Sequence, residues 1–273
     1  MRPQIIDACI YNREVEMFAT RISYLSNYVD KFYLITGTHT FTGIKNKDYL
    51  FEEEKEIAKN CNASLEILEI DFTKRLNWNI HRYILYRRLH HYSIKLQRRL
   101  GFNIIRRTSS PNDILIFSDI DEIPSKQALN IVIDSNYNVH PQRLLMYMCS
   151  YSFDNLAKFN WTGSYISKIK DAKSSLIRSV DLPCTSKHSG WHFNYMGGDG
   201  EIKRKLIAFD HPDFAEKALN SWDETLNMMR TGADLFGRDK YKYEKASEEL
   251  LNTIYDTEIL NLISNNLFYN YEG

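Results

Sequence analysis

The apolar positions at the start of the chain alternate between the rhythm of a strand and that of a helix. Ile5 to Tyr11 is a mostly apolar run of strand length, and the polar triplet Asn12-Arg13-Glu14 closes it. Val15, Phe18, Ile22, Leu25 and Val29 then recur at the spacing of one helix face. Phe32 to Thr36 is a second strand-length run, and the Gly-, Thr- and Lys-rich stretch from Gly37 to Lys47 reads as a loop. Leu50 to Cys61 predicts a helix and Ser64 to Ile70 a third strand. This alternation implies a parallel sheet with helices on its faces.

Downstream, Leu76 to Leu100 predicts a long basic helix, and Ser109-Ser110-Pro111-Asn112 ends what precedes it. Asp113 to Ser118 is a strand that runs directly into Asp119-Ile120-Asp121-Glu122-Ile123-Pro124, with Ser125 placed to cap a helix reaching Ile133. Leu144 to Phe153, Ser164 to Ile169 and Ser174 to Val180 predict further strands. Pro212 to Met229 predicts a helix, and Tyr241 to Ile263 another with Ala246, Leu250, Ile254 and Leu260 on its apolar face. There is no internal repeat or low-complexity linker. The expected architecture is one α/β domain over residues 1–273, with a mostly parallel central sheet flanked by helices and a helical C-terminal annex.

Composition changes little. A chain of 273 residues can bury a sizeable core, and 43% hydrophobic with 26% charged residues is ordinary for a folded protein. The 35 Lys and Arg balance the 35 Asp and Glu, so no net field draws the chain to nucleic acid or an anionic membrane. No apolar run is long enough to form a transmembrane segment, and no secretion signal is present. The expectation is a cytoplasmic protein whose Cys9, Cys61, Cys149 and Cys184, far apart and without a CxxC pair, are reduced thiols. The 18 Tyr, 14 Phe and 4 Trp suit sugar stacking and core filling alike.

The sharpest chemical feature is Asp119-Ile120-Asp121. An apolar strand ends there, so the acidic pair emerges at the carboxyl edge of the sheet, where open α/β sheets bind ligands. Such a pair can share one hard cation, Mn²⁺ or Mg²⁺, that bridges the phosphates of a nucleotide-sugar; the plain alternative is an acidic strand-to-helix turn. Glu122 adds a carboxylate that orients the pair. In His188-Ser189-Gly190-Trp191-His192-Phe193, Gly190 permits a tight turn, Trp191 is a stacking face or a core residue, and His192 is a metal ligand or a hydrogen-bonding group. His211, before Pro212, is a further metal ligand or simply a helix-start histidine.

The string Phe-Ser-Asp-Ile-Asp-Glu-Ile-Pro resembles the metal-site signature of glycosyltransferase family 17, which includes the bisecting β-1,4-mannosyl-glycoprotein N-acetylglucosaminyltransferase and its microbial relatives. Other stretches resemble that family in the same order: Asn12, Glu14 and Arg21; Thr40-Phe41-Thr42-Gly43; Ser189-Gly190-Trp191-His192; Lys205, Phe209 and His211; Arg230-Thr231-Gly232 with Phe236-Gly237-Arg238. The resemblance implies a GT-A-like domain, its nucleotide-binding half about residues 1–125 and its acceptor half about 126–273. It also implies inverting transfer of N-acetylglucosamine from a UDP-sugar donor to a glycan acceptor.

With that chemistry, Asp119 and Asp121 are the metal and diphosphate residues. Asn12, Glu14, Thr42, Gly43, Lys205 and Arg238 attend the donor, with Arg204 as a further phosphate contact. Trp191 and His192 belong to the sugar pocket. An inverting transferase needs a carboxylate to take the acceptor proton, and the candidates are Asp199, Glu201 and Asp154. The segment Arg230 to Arg238 is a lid over the donor or a helix connector. Two rival readings use the same residues: a metal-dependent phosphohydrolase or nucleotidyltransferase at the acidic strand end, and a non-catalytic glycan-binding module built on the aromatics.

Overall fold

The computed structural model describes residues 2–39, 46, 50–71, 86–175, 177–178, 181–208, 212–238 and 241–266, with backbone alone for 86–93, 212–213 and 266. Its strands are β1 (Ile5–Ile10), β2 (Lys31–Gly37), β3 (Leu65–Ile70), β4 (Ile114–Asp119), β5 (Glu122–Pro124), β6 (Gln142–Ser150), β7 (Asn155–Ala157), β8 (Trp161–Lys168), β9 (Cys184–Asn194) and β10 (Tyr243–Lys245). Its helices are α1 (Val15–Leu25), α2 (Glu52–Asn60), α3 (Tyr86–Thr108), α4 (Lys126–Asp134), α5 (Gly198–Ile207), α6 (Pro212–Asn220), α7 (Trp222–Arg230), α8 (Glu248–Ile254) and α9 (Thr257–Asn266).

Every residue of β1 is buried, as a strand covered on both faces requires. It lies between β2 and β4, parallel to both, and β3 extends the parallel half beyond β2. Side chains alternate along β1. Ile5 and Cys9 join the core under α1 with Phe18, Ile22 and Trp191, while Ile6 and Ala8 join the core under α3 with Leu96, Phe102 and Ile105. Beyond β4 the sheet turns antiparallel through β8, β6, β7 and β10. β9 runs parallel to β6 and grips β5 in an antiparallel pair. The fold is thus the α/β domain expected, its parallel half carrying the acidic strand end. A third apolar cluster, with Ile202, Leu206, Met229 and Leu235, holds α5 to α7 together as the annex. No helix among the described residues is long and apolar enough to cross a membrane.

Several boundaries depart from expectation. Helix α3 runs through Leu100 and Gly101 to Thr108, and residues 76–85 of the expected helix lie outside the described residues. A Cβ at Gly101 would lie 2.7 Å from the Ile35 side chain, so glycine serves close helix–sheet packing here. Where a strand was expected from Ser174 to Val180, the described residues form turns. The strand in this region is β9, and Gly190 sits inside it, opposite Pro124, instead of making a turn. Its role is close approach, because a Cβ there would stand 2.3 Å from the Ile123 carbonyl oxygen. The helix expected from Pro212 divides at Ser221 into α6 and α7. The one expected from Tyr241 becomes β10, α8 and α9. Asp256 breaks it, accepting the Ile259 amide at 2.9 Å as a helix cap while its other oxygen accepts the Tyr24 hydroxyl. Ser125 caps α4 as expected, accepting the Ala128 amide at 3.2 Å.

One buried side chain ties these layers together. Arg21 on α1 is fully buried and donates to both oxygens of the equally buried Asp7 at 2.7 Å. Its remaining donors reach the Ser118 hydroxyl and the carbonyls of Ile120 at 3.1 Å and Glu122 at 2.7 Å. The guanidinium therefore holds the backbone of the turn that bears Asp119 and Asp121. Trp191 is also structural. It is 4% exposed, donates its indole N–H to the Ile254 carbonyl at 2.9 Å, and packs against Tyr24 and Tyr255.

Two outcomes follow. Arg21→Met leaves the Asp7 carboxylate buried without a partner, so stability measured by urea unfolding should fall by about 3–5 kcal/mol. Trp191→Phe leaves the Ile254 carbonyl without its donor, and the same measurement should show a loss of about 1–3 kcal/mol.

Candidate active site

A cavity of about 310 Å³ opens where β1 and β4 end, bounded by α3, β8, β9, α5 and the chain after α7. The carboxyl ends of adjacent parallel strands bring Ile10, Asn12 and Glu14 beside Asp119, Ile120 and Asp121.

Asp119 receives Arg98 from α3 at 2.7 and 3.1 Å and also pairs with Arg178. Burial alone would raise its carboxyl, but Arg178 and Arg98 reverse that and hold it below its ordinary value. Glu122 is fully buried and accepts the Trp161 indole N–H at 2.9 Å and Arg178 at 2.6 Å. It thereby anchors Arg178 and, by accepting the Asp119 amide at 3.3 Å, steadies the acidic turn, the orienting role expected for it. Arg178 sits at φ 71°, a left-handed conformation unusual for a side chain of its size.

Asp121 accepts Lys205 at 2.7 Å and lies 3.5 Å from His192 Nε2. Burial again opposes ionisation, and Lys205 followed by His192 drives the Asp121 carboxyl well below the carboxylate range. Lys205 also lies 3.0 Å from Glu14, and these two carboxylates raise its ammonium above the ordinary lysine value against the pull of burial. Glu14 moves the other way: burial pushes its carboxyl up, only partly offset by Lys205. The Trp161 ring tilts over His192 at 4.7 Å, and His192 Nδ1 is buried without a hydrogen-bond partner among the described residues.

Asn12, Glu14, Asp119, Asp121, His192, Lys205 and Arg238 thus meet in one cavity, as the sequence reading grouped them. Trp191 does not join them, being buried in the core, and Trp161 supplies the aromatic wall. The expected bases are elsewhere. Asp154 is tied to Lys245 at 2.8 Å and to Ser152, and Glu201 is gripped by Arg204 one helical turn away. Asp199 sits in the first turn of α5, outside the cavity lining. Arg204 reaches the Asn12 carbonyl. Arg230 ends α7 exposed to solvent, whereas Arg238 lines the cavity while bound to Asp234 at 2.7 and 2.9 Å. Thr42, Gly43 and His211 lie outside the described residues.

Arg98, Arg178 and Trp161 are site residues that sequence reasoning missed. Only Arg98 leaves a signal, sharing a helix face with Ile94, Phe102 and Ile105. Among the described residues no cluster of three His, Cys, Asp or Glu forms a ready cation cage. The donor set nonetheless fits a hard divalent ion that takes two carboxylates and completes its shell with water and phosphate oxygens. Asp119 and Asp121 both line the cavity and are held ionised, Asp119 by Arg178 and Arg98 and Asp121 by Lys205.

No curated protein sequence matches the chain. The crystal structure of S. aureus TarS residues 1–349 is similar over 97% of this chain and 72% of that one, at 10% identity and a TM-score of 0.36. The model of glycosyltransferase family 17 matches residues 1–264, nearly the whole chain and all of the cavity described above. The chain therefore belongs to glycosyltransferase family 17 and is a glycosyltransferase.

Proposed function

We propose that the enzyme transfers a sugar, N-acetylglucosamine by analogy with the family resemblance, from a UDP donor to a glycan acceptor with inversion. Mn²⁺ or Mg²⁺ at Asp119 and Asp121 is part of that proposal. The observation that carries it is the charge pattern of the cavity. Arg98, Lys205 and Arg238 face Glu14, Asp119 and Asp121, so the lining has no positive surplus for a diphosphate. A divalent ion supplies the missing charge and stabilises the departing diphosphate.

The chain's own residues do the rest. Asp119 and Asp121 emerge where the parallel strands end, so a donor diphosphate lies across β1 and β4. Lys205, which lines the cavity between Asp121 and Glu14, would reach the phosphates as a flexible cation. Glu14 is the cavity carboxylate that burial shifts upward, the direction a base working near neutral pH needs. The acceptor oxygen bonds to the anomeric carbon as the bond to the diphosphate breaks, UDP leaves, and the hydroxyl proton passes to Glu14.

Asp121→Ala should abolish transfer while the protein stays folded. Calorimetry should show UDP binding at least tenfold tighter with Mn²⁺ than with EDTA; equal affinities overturn the metal assignment. Because Glu14 must be deprotonated to act, kcat/KM should fall as pH drops through its raised pKa, and the acid limb should lie above the ordinary glutamate range. Glu14→Gln should lower kcat by about 10²–10⁴ while UDP still binds; normal turnover removes Glu14 from the role.

A further inference from the structure

Next to the cavity lies a second groove, of about 490 Å³, bordered by the turn after α7 on one side and by Tyr241 to Tyr243 on the other. Arg238 and Tyr241 line both spaces and form the wall between them. The Arg238 guanidinium lies 4.0 Å over the Tyr241 ring while bound to Asp234, so the wall is held by stacking and by an ion pair.

The groove has the features of a sugar site. Tyr241 and Tyr243 line it, and Phe159 braces both edge-on, at 5.2 and 6.3 Å, fixing a pair of rings. β10 pairs with β7 at Tyr243 and Ala157, and the Lys158 amide donates to the Lys242 carbonyl at 2.8 Å, so the platform rests on sheet backbone. Two of the three described cations lining it are neutralised in place, Lys158 by Glu244 and Arg238 by Asp234, and the third, Lys242, is exposed to solvent at the rim. Rigid rings, polar edges and little surplus charge suit a neutral polyhydroxylated ring better than a phosphate. The groove volume also falls in the range of small-molecule sites, about 300–1,000 Å³.

We propose that this groove is the acceptor subsite, seating a neutral hexopyranose against Tyr241 and Tyr243 so that its hydroxyl reaches the donor past the Arg238–Tyr241 wall. The proposal rests on the sugar-transfer reading and adds to it where the acceptor binds.

The test is saturation-transfer NMR with the methyl glycosides of glucose, galactose, mannose and N-acetylglucosamine, with UDP and Mn²⁺ present. At least one glycoside should receive saturation from the native protein. Tyr243→Ala should weaken that glycoside's affinity more than tenfold, Tyr243→Phe should keep it, and UDP should bind all three proteins. Tyr243→Leu replaces the alanine variant if that variant does not fold. Unchanged glycoside binding in Tyr243→Ala overturns the groove, as does the absence of any glycoside binding while UDP binds; both leave the donor site standing. Failure of UDP to bind the native protein overturns the donor reading instead.

Discussion

The bidentate pair of Arg21 and Asp7 is the contact on which the site depends. A guanidinium with no exposed surface is tolerable only if its donors are satisfied and its charge is matched. Asp7 on β1 supplies the charge, and Ser118 with the carbonyls of Ile120 and Glu122 supplies acceptors. Because those carbonyls belong to the acidic turn, the demand for satisfaction dictates the shape of that turn. The helix after β1 is thereby locked to the strand end of β4, and Asp119 and Asp121 project from a backbone that cannot relax independently. A buried pair of this kind adds little net stability over a well-packed apolar core, so its value lies in the one arrangement it enforces.

Above that fixed turn the charges are arranged in opposed sets. Asp119 is held by arginines from α3 and from the chain before β9, and Asp121 by a lysine from α5 and by His192 from β9. These partners come from four separate segments, so the closed cavity requires all four to be docked. Arg178 and Arg98 keep Asp119 ionised despite burial, and Lys205 does the same for Asp121.

The parallel half is legible in the sequence because its strands are buried on both faces and read as apolar runs, and because an acidic pair directly after such a run can lie only at the sheet edge. The grouping of Asn12, Glu14, Asp121, His192 and Lys205 is legible mainly through family likeness, since those residues come from four elements and no local pattern connects them. What escapes has physical reasons. β9 carries Ser189, Gly190 and His192 among its buried positions, so it lacks the strand rhythm, and its order comes from pairing with both β5 and β6. Trp191 leaves the pocket expected for it because successive residues of a strand face opposite sides, and it is His192 that faces the cavity. Arg178 has no sequence mark at all; its position is set by Glu122, a residue fifty-six positions earlier in the chain.

The antiparallel half then explains why the acidic turn opens into a cavity instead of a plain helix cap. β5 follows the turn at once and is paired with β9, so the chain leaves the sheet edge sideways beneath His192 and Trp191. That pairing demands glycine at position 190, where the Ile123 carbonyl leaves no room for a side chain. Trp191 fills the space below with apolar bulk, and His192, the next residue in a strand whose side chains alternate, faces up toward Asp121. Core and site are therefore built from one ladder, and the motif Gly-Trp-His spells out its three duties in order: close approach, packing and chemistry.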